Sequence, residues 1–142
     1  MSQWVFNTSL EWKSGEEAVE RTAGRPDLPV CGPPEFGGPA GQWTPEHLLV
    51  GGVESCLLLT TLYFVEKMKI DLRSYESSAG GTMARTAEGL RFTEMRVSIR
   101  ARVGAEGDVA NLEAAVRKGE KYCPLSAAVR FPVHVELAVS TA

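Results

Sequence analysis

Thr44-Pro45-Glu46-His47-Leu48-Leu49-Val50-Gly51-Gly52-Val53-Glu54-Ser55-Cys56-Leu57-Leu58-Leu59-Thr60-Thr61-Leu62-Tyr63-Phe64-Val65 is the stretch on which the fold turns. Thr44 suits an N-cap, Pro45 the first helical position and Glu46 the positive end of a helix. The pattern predicts one helix from Pro45 to Lys69, about 37 Å long at 1.5 Å per residue. Its middle is apolar almost all round, which predicts burial on most sides. The run Leu48 to Val65 is near the length of a membrane span. Glu54 lies inside it, and a charge there costs several kcal/mol in a bilayer, so it reads as a buried core helix.

One domain of 142 residues has few elements to surround such a helix. A second copy of the chain is a natural source of the missing cover. The flanking sequence is β-forming. Trp4, Phe6, Leu10 and Trp12 recur with period two and predict a strand over residues 3–12. A turn at 13–16 and a weaker strand over 18–22 follow. Six of the chain's eight prolines fall between residues 24 and 45, with five glycines. No central strand runs through such a stretch, although a short edge strand around Leu28 to Val30 is compatible with it. Phe36 and Trp43 argue for a packed loop.

Beyond the helix, Leu72 to Ala84 and Leu90 to Val103 flank a turn at Thr86–Gly89. Met95, Val97, Ile99, Ala101 and Val103 alternate with Arg96, Ser98, Arg100 and Arg102, which reads as a sheet with one solvated face. Asp108 is placed to cap a second helix over 109–122. Cys123-Pro124 starts a short further helix to Val129, and Phe131 to Val139 ends the chain as a strand. The order is β-β-α-β-β-α-β, an α+β fold over residues 1–142 as a single domain.

Net charge is −3, which argues against a nucleic-acid or anionic-membrane binder. The N-terminus carries neither the basic nor the apolar region of a signal peptide. Three cysteines cannot all pair within one chain, and a reducing, cytoplasmic setting is expected. The histidines, His47 and His134, have no partner at metal-ligand spacing. There is no CxxC, HExxH or glycine-rich phosphate loop, so no metal and no cofactor are expected.

The cysteines carry what chemistry remains. Cys31 lies in the proline-rich loop and reads as a bystander. Cys56, mid-helix among leucines, reads by itself as core. Cys123 precedes Pro124 at a helix start, where a thiol pKa falls, and ranks as the more acidic of the two.

Thr44-Pro45-Glu46-His47-Leu48-Leu49, Cys56 ten residues after Glu46, and Tyr122-Cys123-Pro124-Leu125-Ser126 together resemble the OsmC/Ohr family. These are the osmotically inducible protein C and organic hydroperoxide resistance proteins. The shared pattern is a (T/S/N)PE(E/Q)L helix start, a cysteine deep in that helix and a later CP(V/L)S. The loop Gly24 to Gly38 is similar too, and the resemblance runs from about Trp12 to Val139.

It implies an OsmC-like fold with a long buried central helix in an intertwined homodimer. It implies a thiol peroxidase for organic hydroperoxides, with Cys56 as the attacking thiolate, Cys123 as the resolving thiol and Glu46 in the site. A dithiol, often a dihydrolipoyl group, is the family's reductant, so a lipoylated protein is an expected partner. The leucines around Cys56 favour an alkyl hydroperoxide but raise the thiol pKa, so a positive neighbour is required. The hydroperoxide-resistance branch has an arginine in the loop after the first strand. Here that loop is Ser14-Gly15-Glu16-Glu17. In the osmotically inducible branch the arginine precedes the helix, where this chain has Glu35-Phe36. Arg21, Arg25 and His47 are the nearby candidates.

Ten residues of helix separate Glu46 from Cys56 by about 15 Å of rise. Either Glu46 reaches Cys56 of a second copy, or the helix breaks sharply at Gly51-Gly52. The alternative function is a dimeric, stress-associated protein that binds a small hydrophobic ligand with little turnover. A cysteine or serine hydrolase is disfavoured because no His–acid pair accompanies a nucleophile.

Overall fold

The computed structural model describes residues 1–142 in two units, Met1–Leu49 and Val50–Ala142. In the first unit, β1 (Ser9–Ser14), β2 (Glu17–Arg21) and β3 (Leu28–Cys31) form an antiparallel sheet in that order. The β1–β2 turn is tight, with Gly15 at a φ of +50° that favours glycine.

The first strand therefore lies at 9–14 and not at 3–12. A strand needs a ladder, and β2 pairs only as far as Ser9↔Arg21. Beyond Arg21 the chain turns, with Arg25 N donating to Thr22 O at 3.3 Å. Residues 3–8 consequently have no partner strand, and Trp4 and Phe6 are exposed. A single 3₁₀ turn, Pro34–Phe36, organises the proline-rich loop and ends at Gly37, whose φ is +93°. Phe36 and Trp43 stand exposed in this chain rather than packed.

Helix α1 (Pro45–Lys67) starts as its sequence predicts. The buried Thr44 caps it, accepting the His47 amide on Oγ1 at 3.2 Å and the Leu48 amide on its carbonyl at 3.0 Å. The helix runs through Gly51 and Gly52 as one element. At its far end Lys69 adopts φ +55°, and Ile70 N reaches back to Val65 O at 3.0 Å. Both apolar side chains, Val65 and Ile70, join the core and close the helix end.

In the second unit, β4 (Leu72–Thr86), β5 (Gly89–Val103) and β6 (Val133–Thr141) form a sheet in that order. The β4–β5 hairpin is antiparallel, whereas β5 and β6 are parallel. A parallel pair needs a crossover, supplied by α2 (Gly107–Tyr122) and α3 (Pro124–Ala128).

The alternation in β5 is realised. Met95, Val97, Ile99, Ala101 and Val103 are buried, joined by Val53, Leu57 and Val65 of α1 and Leu112, Ala115 and Val116 of α2. On the other face Arg96 pairs with Glu94 at 3.4 Å and Arg100 with Glu76 at 2.7 Å, exposed contacts worth about 0–1 kcal/mol each.

A further expectation needs correction. Asp108 does not cap α2. The helix begins at Gly107 with Glu106 as N-cap, so Asp108 lies inside the first turn, and its carboxylate accepts the Asp71 amide at 3.1 Å. Within one chain α1 is buried on one side. Its buried residues, Val53, Leu57, Thr61 and Val65, are spaced by four and make a single stripe. Leu49, Leu59 and Tyr63 are exposed. The reason is one of cover: one three-stranded sheet and one amphipathic helix bury one side of a helix that is apolar all round.

Candidate active site

The second unit brings Cys56 and Cys123 together from distant parts of the sequence. On α1, Gly52, Cys56 and Thr60 are spaced by four and share one side. A β-carbon on Gly52 would stand 3.4 Å from Leu125 Cδ2 of α3, so the bare glycine leaves room for α3 to settle beside Cys56. Cys123 lies at the junction of α2 and α3. It is the N-cap of α3, its sulfur accepting the Ser126 amide at 3.5 Å, while Ser126 Oγ donates to the Cys123 carbonyl at 3.2 Å.

Both thiols are free, and each is close enough to shift the other's proton affinity. Their environments push in opposite directions. Burial raises the Cys56 thiol, the Cys123 thiol adds to the rise, and the Leu125 backbone and Thr60 hydroxyl only partly counter it. Thr60 Oγ1 lies 3.9 Å from the Cys56 sulfur. Burial is also the largest single influence on Cys123, but there it is outweighed. The Ser126 backbone and side chain, the Cys56 thiol and the Leu125 backbone together hold Cys123 below the ordinary thiol range. Access runs the other way: Cys123 is 1% exposed, and Cys56 is half-buried.

A cavity of about 480 Å³ lined by Thr60, Tyr63, Phe64, Lys118 and Tyr122 continues the Cys56 side of α1. Its rings pack on one another, Tyr63 edge-on to Phe64 at 5.2 Å and Phe64 against Tyr122 at 5.7 Å. Lys118 Nζ stands 5.6 Å from the centre of the Phe64 ring.

The remaining candidates, apart from His134 on β6, lie in the first unit. Glu46 lies in the first turn of α1, which runs without a break through Gly51 and Gly52. One Glu46 carboxylate oxygen is buried without a hydrogen-bond partner, as is Gln42 Oε1. His47 Nδ1 is 2.7 Å from Thr44 Oγ1, and its ring meets Trp43 edge-on at 6.3 Å. Arg21 is tied to Asp27 at 3.1 Å, and Arg25 donates to the Ala23 carbonyl at 3.2 Å. Cys31 is buried and donates to Pro39 O at 3.3 Å. His134 sits 3.7 Å from Glu94 on the exposed sheet face.

Sequence reasoning missed three features. Thr60, one turn beyond Cys56, was accessible from helical spacing alone. Glu54, read only as a bar to membrane insertion, accepts a hydrogen bond from Ser77 at 2.6 Å. Nearby, Tyr75 is pushed up to about 12 by burial and then by the Glu54 charge, and its hydroxyl is buried without a partner.

No curated protein matches the chain in sequence. In structure it is similar to an OsmC-like protein of unknown function from Vibrio cholerae O1 biovar eltor, with a TM-score of 0.87 and 17% identity over 97% of this chain and 100% of that one. It is similar to an organic hydroperoxide resistance protein OsmC from Legionella pneumophila, with a TM-score of 0.70 and 26% identity over 97% and 99% of the two chains. The organic hydroperoxide resistance protein OhrB of Bacillus subtilis aligns with a TM-score of 0.63 and 18% identity over 94% and 98%. The model of the OsmC-like protein family matches residues 38–138, which is most of the sequence, and the chain belongs to that family.

Proposed function

We propose that the chain is a cysteine-based organic hydroperoxide reductase. The observation that carries this is the meeting of Cys56 and Cys123 as free thiols beside an apolar cavity. The Cys56 sulfur attacks the distal peroxide oxygen and the O–O bond breaks, giving a sulfenic acid and an alcohol. The Cys123 sulfur then displaces hydroxide from the sulfenic acid, which leaves as water, and a disulfide forms. A dithiol reduces it, with a dihydrolipoyl group on a partner protein as the proposed donor. No metal or cofactor enters these steps, and the cytoplasm is the proposed compartment. The organic hydroperoxide resistance proteins among the structural relatives support the reaction class.

The working unit in this reading is an intertwined homodimer, in which Glu46 of one chain approaches Cys56 of a second copy. The partnerless Glu46 oxygen and the uncovered side of α1 both support it.

A second reading has its own observation. No cation is among the groups that shift the Cys56 thiol, and the 480 Å³ cavity, lined by three aromatic rings beside Thr60 and Lys118, suits a small hydrophobic ligand bound without turnover. Consumption of cumene hydroperoxide with dihydrolipoamide as reductant separates the two. Turnover is expected, with sulfenic-acid trapping lost in Cys56→Ser and over-oxidation of Cys56 in Cys123→Ser. No turnover, with both thiols intact afterwards, establishes the binding reading. Equal trapping in both variants overturns the assignment of roles.

A further inference from the structure

Each aromatic ring of the 480 Å³ cavity has a lysine over it. Lys67 Nζ stands 5.5 Å from the centre of the Tyr63 ring, Lys118 Nζ 5.6 Å from that of Phe64 and Lys121 Nζ 5.3 Å from that of Tyr122. A ring face attracts a cation without neutralising it, so the positive charge stays available to a ligand. No ion pair of the chain includes any of the three lysines. The carboxylates nearest them in sequence, Glu66 and Glu120, do not line the cavity, and Glu120 is paired with Arg117 at 2.5 Å. Tyr63 and Tyr122 are exposed, which leaves apolar rings and unpaired cations side by side in one opening.

That combination selects among ligand classes. A wholly apolar ligand covers the rings but strips water from Lys118 without replacing it, which costs free energy. A cationic ligand is repelled. A small inorganic anion meets the lysines and leaves the rings wet. An amphiphilic anion answers both halves of the lining at once. We propose that this cavity is a binding site for an amphiphilic carboxylate, its apolar body on Tyr63, Phe64 and Tyr122 and its carboxylate at Lys118, flanked by Lys67 and Lys121.

The site adjoins Cys56. Thr60, which also lines the cavity, lies one turn of α1 before Phe64, about 6 Å along the axis, and its hydroxyl is 3.9 Å from the Cys56 sulfur. A carboxylate held at Lys118 leaves the far end of its apolar body over Thr60, where it covers the approach to Cys56 from the cavity. The proposal goes beyond both functional readings above, because the cavity holds its ligand whether or not Cys56 turns one over.

The experiment is calorimetric titration of the reduced full-length protein with 4-phenylbutyrate, its neutral isostere 4-phenylbutyramide and ring-free butyrate. The amide and butyrate are each expected to bind about tenfold more weakly than 4-phenylbutyrate, and added salt to weaken the carboxylate but not the amide. Lys118→Gln is expected to abolish the preference for carboxylate over amide, and Lys118→Arg to keep it. In parallel, mass spectrometry follows iodoacetamide labelling of Cys56, which 4-phenylbutyrate is expected to slow in step with its occupancy of the cavity. Equal binding of carboxylate and amide overturns the proposal, as does an unchanged preference in Lys118→Gln or labelling of Cys56 at the unliganded rate under saturating 4-phenylbutyrate. Failure to bind 4-phenylbutyrate, with Lys118→Gln instead changing the sedimentation coefficient, identifies a second copy of the chain as the occupant and also overturns it. Turnover of cumene hydroperoxide without binding of 4-phenylbutyrate removes this site and leaves the reductase reading; binding without turnover does the reverse.

Discussion

Gly119 on α2 faces Thr61 on α1, and this contact sets how closely the helix bearing Cys56 approaches the helix leading to Cys123. A β-carbon on Gly119 would lie 2.3 Å from Thr61 Oγ1 and 3.3 Å from both Thr61 Cα and Cβ. Relief by the side chain is restricted, because a β-branched residue has few rotamers in a helix and Thr61 is fully buried. Overpacking of this kind costs about 1–3 kcal/mol. Replacing an interior helical glycine by alanine returns up to about 1 kcal/mol of propensity. Gly119→Ala is therefore expected to lose about 1–2 kcal/mol in urea unfolding followed by circular dichroism at one fixed protein concentration. The clash is with an oxygen that has no hydrogen-bond partner, so Thr61→Ala removes the obstacle without breaking a bond. The double variant should recover most of the loss, a coupling that a double-mutant cycle reads directly. Disulfide formation between Cys56 and Cys123 should slow in Gly119→Ala and recover with stability. A Gly119→Ala protein as stable as wild type, or one not rescued by Thr61→Ala, refutes the reasoning.

Sedimentation at micromolar concentration is expected to show a dimer, and Glu46→Ala is expected to reduce hydroperoxide turnover; a wild-type monomer with full activity refutes the shared site. In a spectrophotometric pH titration one tyrosine is expected to ionise near pH 12 and to move down in Glu54→Gln. Because the folded pKa lies above the unfolded value of about 10, Tyr75 favours the native state below pH 10, and this preference is lost as pH rises toward 12.

What the sequence disclosed tracks how local each signal is. The start of α1 was readable because Thr44, Pro45 and Glu46 act within one turn, and the cap forms as expected. The inward row of β5 was readable because period two needs only a sheet with one covered face. The first strand was misplaced because alternation at Trp4 and Phe6 says nothing about whether a partner strand extends that far. Asp108 failed as a cap because a one-residue shift in helix start moves it inside the turn. At the site, the acidity of Cys123 was foreseen from its place before Pro124, and Thr60 follows from helical spacing. The influence of the Leu125 backbone on Cys56 was not legible, since it depends on α3 settling against the Gly52 side of a helix far away in sequence.

The apolar surroundings of Cys56 impose two demands that conflict. The rings of Tyr63, Phe64 and Tyr122 on the Cys56 side of α1 suit an alkyl or aryl hydroperoxide, and burial disfavours the thiolate that must attack it. The permanent charge that lines the cavity, Lys118, is held 5.6 Å from the centre of the Phe64 ring and is not among the groups that shift the Cys56 thiol. In the reaction proposed above the second thiol, Cys123, is 1% exposed and its sulfur accepts the Ser126 amide, so it is held back from the hydroperoxide until Cys56 carries the sulfenic acid.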